Sequence, residues 1–150
     1  IWATTVMANE RFIQELDAFM VEVRRVCTEK ALDITSNILE EITDVNALDT
    51  GKCTASWVAS SQSPIFYEAR DVTPLNRISR EQAQERSMAT MINLADYHLG
   101  DTIHLANGTD YVSGIEDGTN SLKSIGFVRI TAHRYAAAGL INFQLRYGDE

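Results

Sequence analysis

Two cysteines and three histidines in 150 residues leave little for covalent or metal-based stabilisation. Cys27 and Cys53 fall on separate expected elements, so there is no disulfide framework. His98, His104 and His133 have no metal-ligand spacing. Both thiols read as small buried or half-buried side chains, in a chain suited to a reducing cytoplasm. Long apolar runs are also missing. The longest, YAAAGLINF, is interrupted by glycine and falls short of the ~18–20 residues that span a bilayer. Nothing near the first residues reads as a signal peptide. Basic charge is scarce: a net charge of −8 excludes the basic stripe that gripping nucleic acid requires. It does not exclude DNA as a neighbour, because a surface that lets DNA slide past without sticking is negative too. No glycine-rich phosphate loop occurs, and no cofactor is expected.

What is present is one domain over residues 1–150, with 45% hydrophobic residues and enough chain for a core. Phe12, Ile13, Leu16, Phe19, Met20, Val23, Val26, Ala31, Ile34, Ile38, Leu39 and Ile42 recur in steps of three and four. They predict an amphipathic helix over residues 9–44, N-capped by Asn9 with Glu10 in its first turn. Unbroken, it would run ~54 Å, against a radius of gyration of ~15 Å for a compact domain of this size. The mismatch predicts either a kink near Thr35-Ser36-Asn37 or a helix projecting against a neighbouring subunit.

The Asp49-Thr50-Gly51 turn then leads into CTASWVAS, where Cys53, Ala55, Trp57 and Ala59 alternate with polar or small residues and predict a strand. Both prolines lie in the stretch that follows, residues 62–78, which reads as a long loop. Ser79 and Gln82 form a capping box opening a helix to about residue 97. A short strand, TIHLAN, turns at Asn107-Gly108. One helical turn follows and closes at Gly118, and FVRITAHRYAAA reads as helix ending near Gly139. The expected class is α+β: a long N-terminal helix and further helices packed on a small, mainly antiparallel sheet.

Each candidate chemistry meets a structural alternative. Asp-Thr-Gly is also the aspartic-protease triplet, but a protease needs two such carboxylates in paired apolar loops, and the triplet occurs once. As a turn, Asp49 accepts backbone N–H bonds and Gly51 supplies the unusual dihedral. His104, with Asp101, Asp110, Ser113 and Asp117 nearby in sequence, is the least bad hydrolase set, but no nucleophile elbow accompanies it. Asp110, Glu116, Asp117 and Asn120 lack EF-hand spacing. No residue is expected to be catalytic or to bind metal.

The order of elements is more specific than any one motif. A long helix leads to DTGKCTASW, then GDTIHLANGTDYVSGIEDGTNS, then GFVRITAHRY. This resembles the minor structural proteins of tailed bacteriophages that complete the tail or join it to the head, the neck and tail-completion proteins of lambdoid siphophages and their relatives. The match covers about residues 9–138. It rests on Thr50, Gly51, Lys52 and Trp57, then Asn107, Tyr111, Glu116, Gly118, Ser121 and Gly126. The family's Ala-Pro-like step before the last glycine is LKSI here.

The resemblance implies a non-enzymatic virion protein, assembled in the bacterial host cytoplasm as a ring of six- or twelve-fold symmetry. Its expected neighbours are head–tail connector and tail proteins, with genomic DNA passing through unbound and no membrane partner. A tail-terminator or head-side adaptor role is the alternative within the virion. For a channel, Glu68 and Asp71 on the long loop are the acids expected to face the DNA, at no cost to folding.

Overall fold

The computed structural model describes residues 2–118 and 126–146, with side chains from residue 8 onward. Helix α1 runs unbroken from Trp2–Val45, 44 residues or ~66 Å. The helix is not interrupted at Thr35. Its hydroxyl bonds back to the Ala31 carbonyl at 2.8 Å, as Thr43 does to Leu39 at 2.8 Å, so both polar groups are satisfied within the helix. Asn9 does not cap: no glycine or proline precedes it, and the helix begins a full two turns earlier.

Past Val45 the chain makes one helical turn, α2 (Lys52–Ala55), then strand β1 (Trp57–Ser60). The expected strand from Cys53 is thus half helical. Gly51, at φ +92°, turns the chain so that Ala55 N–H reaches the Gly51 carbonyl at 2.9 Å and the Ser56 hydroxyl bonds the Lys52 carbonyl at 2.6 Å. Alternation misled here because all of residues 53–60 are buried, leaving no solvent face to alternate with. After the long loop come α3 (Arg80–Ala89), tightening into a 3₁₀ turn at Thr90–Leu94, then β2 (His104–Asn107), α4 (Val112–Asp117) and α5 (Phe127–Ala137). The Ser79–Gln82 capping box is present in both directions, at 3.1 and 3.0 Å. Helix α5 closes at Gly139, and residues 141–146 form neither helix nor strand.

The sheet is one antiparallel pair in which Trp57 faces Asn107 and Ser60 faces His104. Two strands alone are marginal in water. Here the outer edge of β1 is occupied: Ala59 N–H donates to the Thr90 hydroxyl (2.9 Å) and its carbonyl accepts from the Asn93 side chain (3.1 Å). Ile38, Leu39 and Ile42 of α1 cover the pair together with Trp57, Leu94, Ile115 and Phe127. A second cluster, Ala55, Ala69, Val72 and Ala83, seats the long loop on α3. The class is α+β, mostly helical, as the sequence implied.

The core engages only the C-terminal part of α1. Every side chain from Ala8 to Cys27 is exposed, and the first fully buried one is Thr35. The N-terminal half of the helix carries its apolar stripe out into solvent.

Candidate assembly surface

Of the residues that carried the resemblance, Trp57 and Asn107 meet at the junction where α1 ends and the strands begin. Trp57 packs edge-on against Phe127, ring centroids 6.2 Å apart, and donates its indole N–H to Asn46 Oδ1 at 3.0 Å. Cys53 Sγ approaches the same oxygen at 3.5 Å. Asn107 reaches across from β2 to the Cys53 carbonyl (2.8 Å) and accepts from the Thr109 backbone (3.0 Å) and hydroxyl (2.7 Å). Burial pushes the Cys53 thiol up from its usual range, offset in part by its bonds to Thr109, Asn46 and Asn107. Tyr111, half-buried against the core cluster, is pushed up to about 12, first by loss of solvent and then by the negative groups around it.

Sequence reasoning missed Asn46 and Arg80. Asn46 is fully buried at the helix end, where an Asn is an ordinary terminator, and that position was the available signal. Arg80 donates to the Thr43 and Asn46 carbonyls, both at 2.9 Å, and so satisfies the C-terminus of α1 from the first turn of α3.

The remaining predicted positions that the structure describes have structural tasks. Thr50 Oγ1 accepts the Lys52 N–H at 3.2 Å. Asp49 does not accept backbone bonds as expected; its carboxylate takes the Arg77 guanidinium at 3.1 Å. Gly108 donates its N–H to the Tyr67 carbonyl at 2.9 Å, and a Cβ there would meet the 66–67 backbone at 2.7 Å. Only glycine lets the β2 turn lie this close to the long loop. Glu116 is buried and turned into the start of α5. It accepts Val128 N–H (2.9 Å) and Arg129 N–H (3.0 Å) and pairs with the Arg129 side chain at 3.1 Å. Gly118 (φ +76°) closes α4 and Gly126 (φ +71°) opens α5. Ser121 and the LKSI step lie outside the described residues.

The two loop acids are not free charges. Glu68 pairs with Lys52 at 2.5 Å and Arg70 at 3.5 Å, and the Lys52 hydrogen bond holds its carboxyl below the ordinary range. Asp71 pairs with Arg86 at 2.8 Å. Reversing them would set like charges together at both places, so the expectation that this costs folding nothing is corrected.

His104 sits opposite Ser60 in the sheet, bonded to neither Asp101 nor Asp110; Asp101 instead accepts the His98 N–H at 3.1 Å. A shallow cleft of about 440 Å³ is lined by Asn37, Glu40, Glu41, Asp44, Gln84 and Tyr135. Part of its wall is already spent: Glu41 bonds Arg134 and Tyr135, and Gln84 bonds the Glu40 carbonyl and Thr43. Among the described residues no group of three or more His, Cys, Asp or Glu is placed to hold a metal, and no helix is long and apolar enough to cross a membrane.

No family model, curated protein or solved structure matches the chain. The unspent feature is therefore geometric. Phe12 and Phe19 are 65% and 63% exposed on one half of α1, with Ile13, Leu16, Met20, Val23 and Val26 exposed beside them. An apolar patch of this size on a monomer marks an interaction surface. On the globular part, Phe66 and Tyr67 are exposed on the long loop, and Leu75 entirely so.

Proposed function

We propose that the chain is a structural subunit of a tailed-phage virion, forming a closed ring at the neck or tail end through which DNA passes. The observation that carries this reading is the projecting half of α1, whose apolar stripe no described residue of its own fold covers. A protein with such a stripe is an assembly component, because the cost of leaving it wet is removed only by another chain. The resemblance to neck and tail-completion proteins supplies the setting. Six- or twelve-fold copies, contacts to connector and tail proteins, and unbound passage of DNA follow from that setting. A ring requires heterologous interfaces that close, and the helix together with the 62–78 loop offers two unlike surfaces for one. The use of the motif residues in packing and capping supports a structural role over catalysis.

Mass spectrometry and cryo-EM of purified particles test the reading. The protein is expected at the head–tail junction or tail end in multiple copies. Particles that lack it and still eject DNA normally would sink the proposal.

A further inference from the structure

The exposed half of α1 has a seven-residue repeat. Leu16 and Val23 are seven apart, as are Phe12, Phe19 and Val26, and Ile13 and Met20 beside them. Glu15, Glu22 and Glu29 form a further column at the same spacing. An apolar seven-residue repeat slips slightly against the 3.6-residue turn, and stays on a partner only if the helices wind around one another left-handedly. At 100° per residue this stripe is centred little more than a quarter of a turn from the core-facing Ile38, Leu39 and Ile42, with Met20 at the angle of Ile38. The stripe ends before the first buried residue, Thr35, so what covers it sits further along the axis than the globular part and does not compete with it.

We infer that residues 8–30 of α1 pack against the same residues of other copies in a parallel bundle of three or more helices. This deepens the ring reading and rests on its premise that copies of this chain cover the stripe; location in a virion plays no part. Three observations select the arrangement. Direction comes from the glutamate column. Antiparallel packing sets Glu15 against a partner's Glu22 twice over, whereas parallel packing sets Glu15 beside Met20 and Glu22 beside Cys27. The glutamates are already held on their own helix, Glu15 by Arg11 (3.0 Å) and Glu22 and Glu29 by Arg25 (2.5 and 2.7 Å), which turns them to the outer flank. Number comes from width: three apolar positions per seven make a bundle face, where two make a two-stranded seam. Area comes from the exposed fractions of the seven side chains, which sum to about 650 Å² per copy. In a closed bundle each copy shares that stripe between two neighbours, so each seam buries about 650 Å² and a three-copy bundle about 1,950 Å² in all, the total of a stable interface.

The test uses the full chain. Sedimentation velocity and native mass spectrometry from ~5 to ~200 µM should show a species of three or more copies. The double variant Leu16→Glu, Val23→Glu should cut the mass at least threefold, to one copy, while keeping the parent's cooperative melting of the core, which neither side chain touches. For direction, Val26→Cys in a Cys27→Ser background should oxidise to a covalent pair, because equal positions meet only in parallel packing. A parent chain that stays monomeric or stops at a dimer overturns the proposal and leaves a helix of another protein as the occupant. Cross-linking only between mixed Phe12→Cys and Val26→Cys chains overturns the direction. Loss from virions with the bundle intact would count against the virion reading alone. Protein in virions whose Val26→Cys does not cross-link would count against the bundle alone.

Discussion

Replacing Glu116 by Gln keeps its shape and removes its charge at the point where α4 hands over to α5. The carboxylate accepts two backbone N–H groups, Val128 at 2.9 Å and Arg129 at 3.0 Å, and the Arg129 guanidinium, with only 5% of its side chain exposed. A hydrogen bond to a charged group is worth about 1.5–3 kcal/mol net, and a carboxylate at a helix start adds about 0.3–1 kcal/mol. Glutamine retains one acceptor. Its amide NH₂ then faces an N–H donor, so one bond is lost and one buried donor goes unpaired. The expected cost is about 2–3 kcal/mol, and about 3–4 kcal/mol for Glu116→Ala, which loses both bonds and the packed methylenes. At about 2–4 °C per kcal/mol for a domain of this size, Glu116→Gln should lower the melting temperature by about 4–12 °C. Melting is to be followed by circular dichroism at one fixed concentration, because association makes it concentration-dependent. Hydrogen exchange should quicken first at the Val128 and Arg129 amides. The exposed Asp110→Asn is the control and should stay within about 2 °C of the parent. A Glu116→Gln protein melting as the parent does, with both amides still protected, would refute the capping argument.

Gly108→Ala places a Cβ 2.7 Å from the 66–67 backbone and should cost about 1–3 kcal/mol, read as a lower urea midpoint and faster proteolysis within the 62–78 loop. Stability should be flat from pH 7 to 9 and fall as pH rises above it. Cys53 and Tyr111 both have folded pKa values raised above the ordinary 9.0 and 10.0, so their contribution is complete below those values and is lost as pH climbs through the folded ones. Thermal melts from pH 7 to 12 check this, and Tyr111→Phe should flatten the part between pH 10 and about 12. Reversing Glu68 and Asp71 to Lys together should lower the melting temperature, since each new ammonium faces Lys52 or Arg86; an unchanged melt would show both ion pairs to be idle.

What the sequence made legible was local. The capping box at Ser79 and Gln82 is a reciprocal pair three residues apart, and the closing glycines at 118 and 139 act within one turn. The C-terminal end of α1 and the excess of its length over one domain were legible from its stripe, whereas its start lies two turns before the expected Asn9 cap. Two local signals competed and lost. Thr35-Ser36-Asn37 suggested a break, but back-bonded hydroxyls leave the helix whole. Small residues in Cys53–Ser56 alternated like a strand, although a segment buried on every side has no facing information to give. The junction itself was not legible. Asn46 meets Trp57 eleven residues on, Cys53 meets Asn107 fifty-four residues on, and Arg80 reaches back thirty-four to the α1 terminus. Contacts at that separation leave no periodicity, so the motif positions could be named from resemblance but not assigned tasks.

The same geometry relocates the chain's negative charge. In the loop, Lys52 and Arg86 neutralise Glu68 and Asp71, so the long loop presents little net field to anything that passes it. On α1 the Glu15, Glu22 and Glu29 column continues, at the same angle about the axis, into Asp33, Glu40 and Asp44. The first three are matched by Arg11 and Arg25, whereas Asp33, Glu40 and Asp44 form no ion pair among the described residues. The unmatched acids therefore gather on the half of α1 that also packs on the core. They lie on a rigid helix, and in a ring of parallel helices every copy repeats them at one height. Such a ring of carboxylates concentrates potential where scattered loop acids do not, because like charges at one level add before salt screens them. Under the ring reading this belt shares the outer flank with the glutamate column, and the 62–78 loop, with Phe66, Tyr67 and Leu75 bare, is shaped for contact with protein.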